Sequence, residues 1–382
     1  MKLSSKDLQR FFSQYKIVTL LFAVVVIWLF FNQMSDGYLT PRNFSNLLRQ
    51  MAITGMLASG MVFIIIAGEI DLSVGALLGL LGGVGAYMDY YLHLPMWMTI
   101  SAVISLGVLI GLWNGYMVAF ARVPSFIVTL SGFLAFRGIL LGITKGTTIP
   151  LESAGLVSIG QGYLPIMLGN IVGIIIFVLL AFLAFKTRAG RAQHGLAIAP
   201  LWQDVSKLAA VAAMIAGFVF TLNAYEGIPV PVLVTLIILG VFSFMANKMV
   251  FGRRIYSIGS NLEATRLSGV NVRAVKLIVF GIMGLMCAFA GLTTTARLAA
   301  ASPSAGNLGE LDAIASCYIG GASSRGGVGT VYGALIGALI MASLDNGMSM
   351  LGVDSFWQMI VKGSILLLAV WVDVVSGAGS DR

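Results

Sequence analysis

The chain has 382 residues, 58% of them hydrophobic and 10% charged, with a formal net charge of +8 and a mean hydropathy of +0.96. An ordinary soluble domain carries roughly 25% charged residues, so this composition excludes a folded aqueous surface. It points to an all-α polytopic membrane protein, because runs of roughly 20 apolar residues cross the hydrocarbon layer as helices.

Residues 1–16 form a charged tail (Lys2, Lys6, Arg10, Lys16) ahead of the first apolar run. No small-residue cleavage site follows that run, so 17–31 reads as an anchor and not as a removable leader. Further spans are expected at 45–67, 72–91, 98–120, 125–144, 164–185, 207–224, 229–247, 275–296, 328–345 and 356–373. That reading allows about ten to twelve crossings, with 311–323 too brief to cross alone. Gly107, Gly111 and Gly115, like Gly75, Gly79 and Gly83, recur every fourth residue, which suits close helix packing within the chain. The hydrophilic stretches 145–163, 186–206 and 248–274 are too short to hold a soluble domain, so residues 1–382 read as a single transmembrane domain.

Placing Met1 in the cytosol and alternating sides puts 16 of the 23 Lys and Arg on the cytosolic face, as the positive-inside rule expects. They are the tail, Arg122, the group Lys186, Arg188, Arg191 and Lys207, the group Lys248, Arg253, Arg254, Arg266, Arg273 and Lys276, and the terminal Arg382. Both termini are expected in the cytosol, which takes an even number of crossings, one fewer or one more than the eleven spans placed here. The positive charge sets topology and meets anionic membrane lipid; nucleic acid is not called for. His93 and His194 are single loop residues without a second ligand at metal-binding spacing, so no metal site is expected. Cys287 and Cys317 both lie in apolar segments.

Two carboxylates stand between apolar runs in Gly68-Glu69-Ile70-Asp71, and Gly309-Glu310-Leu311-Asp312 repeats the pattern. Seven expected spans separate the copies, an odd number that gives them opposite orientation, the signature of an inverted repeat. Helices are therefore expected to break near 68–75 and 309–327. A lipid-facing carboxylate costs at least about 2.5 kcal/mol, so Glu69 and Asp71 face a turn, a wetted path or the bundle interior. Two readings stand side by side. Asp71 and Ser73 can cap the next helix, or these groups can line a transport path with Glu310 and Asp312. Ser125, Thr129 and Arg137 lie at helical-turn spacings on one helix and are weaker path candidates. No nucleophile beside a base is evident, so no catalytic residue is expected.

The stretch FGRRIYSIGSNLEATRLSGVNVRAVK (251–276) is the most informative polar segment. Gly252 is expected to end the preceding helix and Gly259 to form a turn. Ser260 or Asn261 then caps a short helix over Leu262, Glu263, Ala264, Thr265, Arg266 and Leu267, closed by Gly269. It reads either as an amphipathic loop on the membrane surface or as a helix shaped to enter a partner's groove.

This segment resembles the cytosolic coupling loop (251–274) of permease subunits from bacterial ABC importers, in the branch handling ribose, xylose and galactose. The likeness covers nearly the whole chain: NLLRQMAITGMLASGMVFIIIAGEIDLSVG (46–75), VPSFIVTLSGFLAFRGILLGITKGTTI (123–149), SPSAGNLGELDAIASCYIGG (302–321), MASLDNGMSM (341–350) and FWQMIVKGSILLLAVWVD (356–373). Glu-Ala-Thr at 263–265 and Ser-Ser-Arg at 323–325 depart from the family's usual residues.

The resemblance implies two copies around a central path in the bacterial inner membrane, fed by a periplasmic sugar-binding protein. Partner ATPase subunits would bind ATP and Mg; this chain has no G-x-x-x-x-G-K-[ST] loop of its own and needs no cofactor. Asn261, Leu262, Glu263, Ala264, Arg266, Leu267 and Gly269 would engage the ATPase. Glu69, Asp71, Ser73, Ser125, Thr129, Glu310 and Asp312 would border the path, and Asp345 and Asn346, ending a span on the outer side, would meet the binding protein or simply water. Overall likeness, including the extra length around 186–224 that shorter ribose permeases lack, makes D-xylose the expected cargo. The alternative is an ion-coupled secondary sugar transporter in which the intramembrane carboxylates titrate.

Overall fold

The computed structural model describes residues 16–197 and 200–378; Lys2, Lys6 and Arg10 of the tail and the terminal Arg382 lie outside them. Among the described residues, ten helices are long and apolar enough to cross a membrane, and Val74–Tyr90 is a shorter apolar helix.

The chain opens with α1 (Lys16–Met34) and α2 (Pro41–Ile66), the latter capped by Thr40 and carrying Pro41 at its first turn, where a missing N–H costs nothing. Then come α3 (Val74–Tyr90), α4 (Met96–Ala119) and α5 (Ser125–Thr144). A two-residue strand β1 (Ile149–Pro150) and a short helix α6 (Ala154–Gln161) follow. The next spans are α7 (Ile166–Gln193), α8 (Leu201–Asn223) and α9 (Val230–Lys248). Proline occupies the N-cap of α4, α5, α7, α8 and α9. Its fixed φ holds the preceding chain extended and lets a helix begin immediately after it.

Two short helices, α10 (Val250–Ser260) and α11 (Leu262–Leu267), lead into α12 (Val272–Leu298). Strand β2 (Ala300–Ala301), α13 (Gly309–Ile319), α14 (Val331–Met350) and α15 (Ser355–Ala378) complete the fold.

Helices α2 and α12 are buried along most of their length, with α3, α13 and α14 around them. By contrast α7, α8 and α15 expose long apolar faces, as lipid-facing helices do. The glycine stripes serve packing within the chain. A Cβ on Gly107 would meet the Gly284 carbonyl of α12 at 2.6 Å, and one on Gly115 would meet that of Leu277 at 2.9 Å. Backbone contact of this closeness is what small residues permit between membrane helices.

Two sets of four helices correspond. In order, α2 to α5 have 26, 17, 24 and 20 residues, and α12 to α15 have 27, 11, 20 and 24. Glu69, three residues beyond α2, pairs with Lys276 in the first turns of α12, so the leading helices of the two sets run in opposite directions. That is the geometry of an inverted repeat.

The end holding this ion pair also carries Arg122, Arg266 and Arg273 and is called here the basic end. The opposite end is tied by the antiparallel β1–β2 pair and by Asp89, whose carboxylate accepts from the Glu152 and Ser153 amides at 2.7 and 3.1 Å. From β2 the chain turns back into the bundle over 302–308, and α13 completes that crossing to the basic end. Arg325 therefore joins the basic end, a placement the span count misses.

Candidate functional site

The first helix break follows Ile66. Gly68 takes a left-handed φ of +77°, a conformation that favours glycine. Asp71, 2% exposed, then folds back so that one carboxylate oxygen accepts from the Ser73 amide at 2.8 Å and the Ser73 hydroxyl at 2.6 Å. Asn114 of α4 donates to the same hydroxyl at 3.4 Å. The Ile70 amide reaches the Ser125 hydroxyl at 3.4 Å, and the Thr129 hydroxyl is turned onto the Ser125 carbonyl at 2.9 Å. Asp71 and Ser73 are thus enclosed and hold the break against α4, Ser125 meets it from α5, and the buried Thr129 hydroxyl is satisfied within its own helix. Glu69 points the other way, toward Lys276.

The second break is held by cations from two different helices. Arg137 of α5 donates to the carbonyls of Pro303 and Ala305 at 3.3 and 2.8 Å. Left-handed residues at Gly306 and Leu308 then turn the chain into α13. On the other side, Lys362 of α15 bridges Asp312 at 3.0 Å and Asp345 of α14 at 2.8 Å. Lys362 is absent from the sequence-based candidates. Its signal was a lone cation in the apolar run 356–373, since an ionisable residue within a span requires a partner.

The two breaks meet. Gly75, in the first turn of α3, lies so close to Gly306 and Glu310 that no Cβ fits, and a Cβ on Gly309 would be 3.5 Å from the Gly75 Cα. Two helix N-termini, each with unpaired amides and a positive dipole end, therefore face one another inside the bundle. Glu310 lies between them, 7% exposed, with Oε2 unpartnered among the described residues.

At the basic end α11 forms as its caps dictate. Asn261 Oδ1 accepts from the Ala264 amide at 2.9 Å, and Gly269, at φ +83°, follows the last turn. Thr265 is buried, whereas Leu262, Glu263, Ala264, Arg266 and Leu267 are exposed, Leu267 to 87%.

Two glycine expectations are corrected here. Gly252 does not end a helix: α9 stops at Lys248, and Gly252 lies inside α10, pressed on the Ala246 and Met245 carbonyls. Nor does Gly259 form a turn. It is helical, and its missing side chain lets α10 rest on the Ile66 carbonyl and the Gly327 amide.

Those last two groups are themselves hydrogen-bonded at 2.9 Å. Tyr256, its phenol pushed above the ordinary value by burial, donates to the Gly329 carbonyl at 2.7 Å. Helix α10 thus touches the end of α2 and the segment leading into α14 at once. The unusual Ser-Ser-Arg segment has a partner too: Asp373 of α15 accepts from the Ser324 amide at 2.8 Å and its hydroxyl at 2.9 Å.

Asp345 and Asn346 do not end a span, because α14 continues to Met350. Asp345 is held by Lys362. Asn346, 3% exposed, exchanges amide hydrogen bonds with Asn43 at 2.8 and 3.1 Å. Neither is an open docking group. His93 pairs with Glu152 at 3.4 Å, and no group of three metal-ligating side chains occurs among the described residues. Cys287 and Cys317 are buried free thiols.

Residues 43–370 match the family described as branched-chain amino acid transport system / permease component. The chain is 55% identical over 360 residues to the xylose transport system permease protein XylH of Escherichia coli (strain K12), covering 94% of this chain and 91% of that protein. Its identity to the protein of the same name from Haemophilus influenzae (strain ATCC 51907 / DSM 11121 / KW20 / Rd) is 52% over 373 residues, 97% and 98% of the two chains. The ribose import permease protein RbsC of Escherichia coli (strain K12) is 34% identical over 353 residues, 92% of each. No solved structure matches the chain.

Proposed function

The chain belongs to the branched-chain amino acid transport system / permease component family, and on that premise we propose that it is the membrane permease of an ATP-driven importer carrying D-xylose. Identities of 55% and 52% to xylose permeases, against 34% to a ribose permease, support xylose as the cargo. The basic end faces the cytosol in this reading, in accord with the positive-inside rule, and the membrane is the bacterial inner membrane. A periplasmic sugar-binding protein delivers the sugar at the opposite end, and two copies of the chain enclose the path.

The observation that carries the mechanism is the seat of α10. An ATPase subunit, binding ATP and Mg, grips the exposed face of α11 through Leu262, Glu263, Ala264, Arg266 and Leu267. Displacement of α11 passes to α10 through Asn261, which closes one helix and caps the next. Helix α10 rests without intervening side chains on Ile66 and Gly327, so the first helix break and the α13–α14 connection move together. Close-packed contacts have few intermediate arrangements and convert a small push into a two-state shift.

Within the path the roles divide. Asp71, Ser73 and Ser125 hold the first break, with Thr129 buried beside them in α5, and Asp312 anchors the second. Glu310, with its free oxygen beside two helix N-termini, is the group poised to meet water or a sugar hydroxyl.

The test is uptake of labelled xylose by intact cells expressing the importer. Depleting ATP while preserving the proton gradient abolishes uptake if the permease is ATP-driven. Uptake that persists under those conditions, with no ATPase co-purifying with the chain, supports the ion-coupled alternative instead. Glu263→Lys and Gly269→Trp are expected to lose the co-purifying ATPase while the permease remains folded.

A further inference from the structure

A cavity of about 620 Å³ opens at the basic end between α4, α11 and α12. Arg122, Arg266, Arg273 and Lys276 line it together with Val118, Phe120 and Leu262; Leu262 and Arg266 also belong to the α11 face proposed to meet the ATPase, so the cavity borders that contact. No acidic side chain contributes to the lining. Lys276 is already engaged by Glu69, but Arg122, Arg266 and Arg273 have no ion pair among the described residues. Glu263, the acid nearest in sequence, projects from another row of α11 and stays outside the cavity.

All three arginine side chains are exposed, but the backbone that carries Arg122 is fixed and Arg273 has an aromatic neighbour. Arg122 sits in a left-handed bend at φ +60°, fixed by the Ala121 amide on the Tyr116 carbonyl at 3.2 Å and the Val123 amide on that of Met117 at 3.1 Å. Arg273 lies over the Phe120 ring, 6.0 Å from its centroid. Three arginines lining one hollow, with no acid among them, favour an anion there, and the planar guanidinium fork matches phosphate oxygens.

We propose that this cavity binds a phosphate group, bridging the end of α4 to α11 and the start of α12. The chemistry fits two sources. The headgroup of an anionic phospholipid would reach it from the bilayer, because the cavity adjoins the ends of two spans and an aromatic row, Trp113, Tyr116 and Phe120, descends from it along α4. Such interfacial aromatics and cations are the usual recognition elements for lipid headgroups. A free phosphate-bearing solute would enter from the aqueous side.

The experiment uses the purified full-length permease and needs neither ATPase nor sugar, so its outcome is independent of the transport reading. Native mass spectrometry after release from nanodiscs counts retained phosphatidylglycerol against phosphatidylcholine. A second arm follows thermal unfolding in detergent with inorganic phosphate against chloride at equal ionic strength. The wild type is expected to retain the anionic lipid, to be stabilised by phosphate, or both. The double variant Arg122→Gln/Arg273→Gln lowers that response by about tenfold, and Arg273→Lys retains part of it. Lys248→Gln, which lies at the same end outside the lining, leaves it unchanged.

Lipid retention alone identifies the headgroup as the source; a response to phosphate alone identifies a soluble anion. Absence of both in the wild type overturns the proposal. So does an equal loss in Lys248→Gln, which would mean general attraction to surface charge.

Discussion

Replacing Lys362 by Met tests whether one intramembrane cation holds the last span in place. Its Nζ lies 3.0 Å from Asp312 and 2.8 Å from Asp345, contacts worth about 5–6 kcal/mol each at an effective dielectric of about 20. Desolvation of three ions offsets much of this, at several kcal/mol per ion. The net value of the network is therefore small, yet removing one member is costly. Methionine keeps the length and packing of the lysine stem but leaves two carboxylates, 14% and 27% exposed, without a cation. Breaking a buried pair in this way costs about 3–5 kcal/mol.

Because Asp312 is on α13 and Asp345 on α14, the loss should appear as loosening of α15. Thermal unfolding of the purified permease in detergent, followed by the surviving monodisperse fraction, measures it. Limited proteolysis of the α14–α15 connection reports the local effect. Lys362→Met should unfold well below the wild type. The neutral triple variant Lys362→Met/Asp312→Asn/Asp345→Asn should recover most of the difference, since it strands no charge. A single variant that melts with the wild type, or a triple variant no better than the single, refutes the argument.

Gly259→Val places side-chain atoms where the Ile66 carbonyl and Gly327 amide already sit; neither can swing aside, and overpacking of this kind costs about 1–3 kcal/mol. Xylose uptake should fall by about tenfold or more while the amount inserted in the membrane is unchanged, and normal uptake counts against α10 as the transmitting element. Glu69→Lys and Lys276→Glu should each destabilise by about 3 kcal/mol, and the exchanged pair should regain at least half of either loss in a double-mutant cycle. Strict additivity would show that the two charges do not meet. Asn346→Ala removes the donor to Asn43 Oδ1, while Asn43 Nδ2 keeps the Tyr38 carbonyl at 2.8 Å, and should cost about 1–3 kcal/mol of stability without changing affinity for the sugar-binding protein. Weaker affinity at unchanged stability would return Asn346 to the docking surface.

Much of the architecture was legible because the signals are local. A bilayer demands long apolar runs, so the span limits could be placed within a few residues, as at 125–144 and 229–247. The caps of α11 at Asn261 and Gly269 could be read because a cap involves residues three or four apart. The break after Gly68 was marked by glycine and by an Asp-x-Ser pattern for the same reason.

What the sequence by itself left open depends on which helices touch. Lys362 meets Asp312 across 50 residues, and Lys276 meets Glu69 across 207; no periodicity relates such pairs. Gly259 looks like a turn residue in the chain and proves to be a contact residue, because the need for its missing Cβ arises only when α10 is laid on α2. Segment 302–308 has no capping or hydropathy signal that would send it back into the bundle. Arg137, from a helix far away in sequence, supplies the donors that make its exposed carbonyls tolerable there. Hydropathy and capping thus determined the elements, while the pairing of buried charges and the close backbone contacts followed only from tertiary packing, which sets the distances on which Coulomb and steric energies depend.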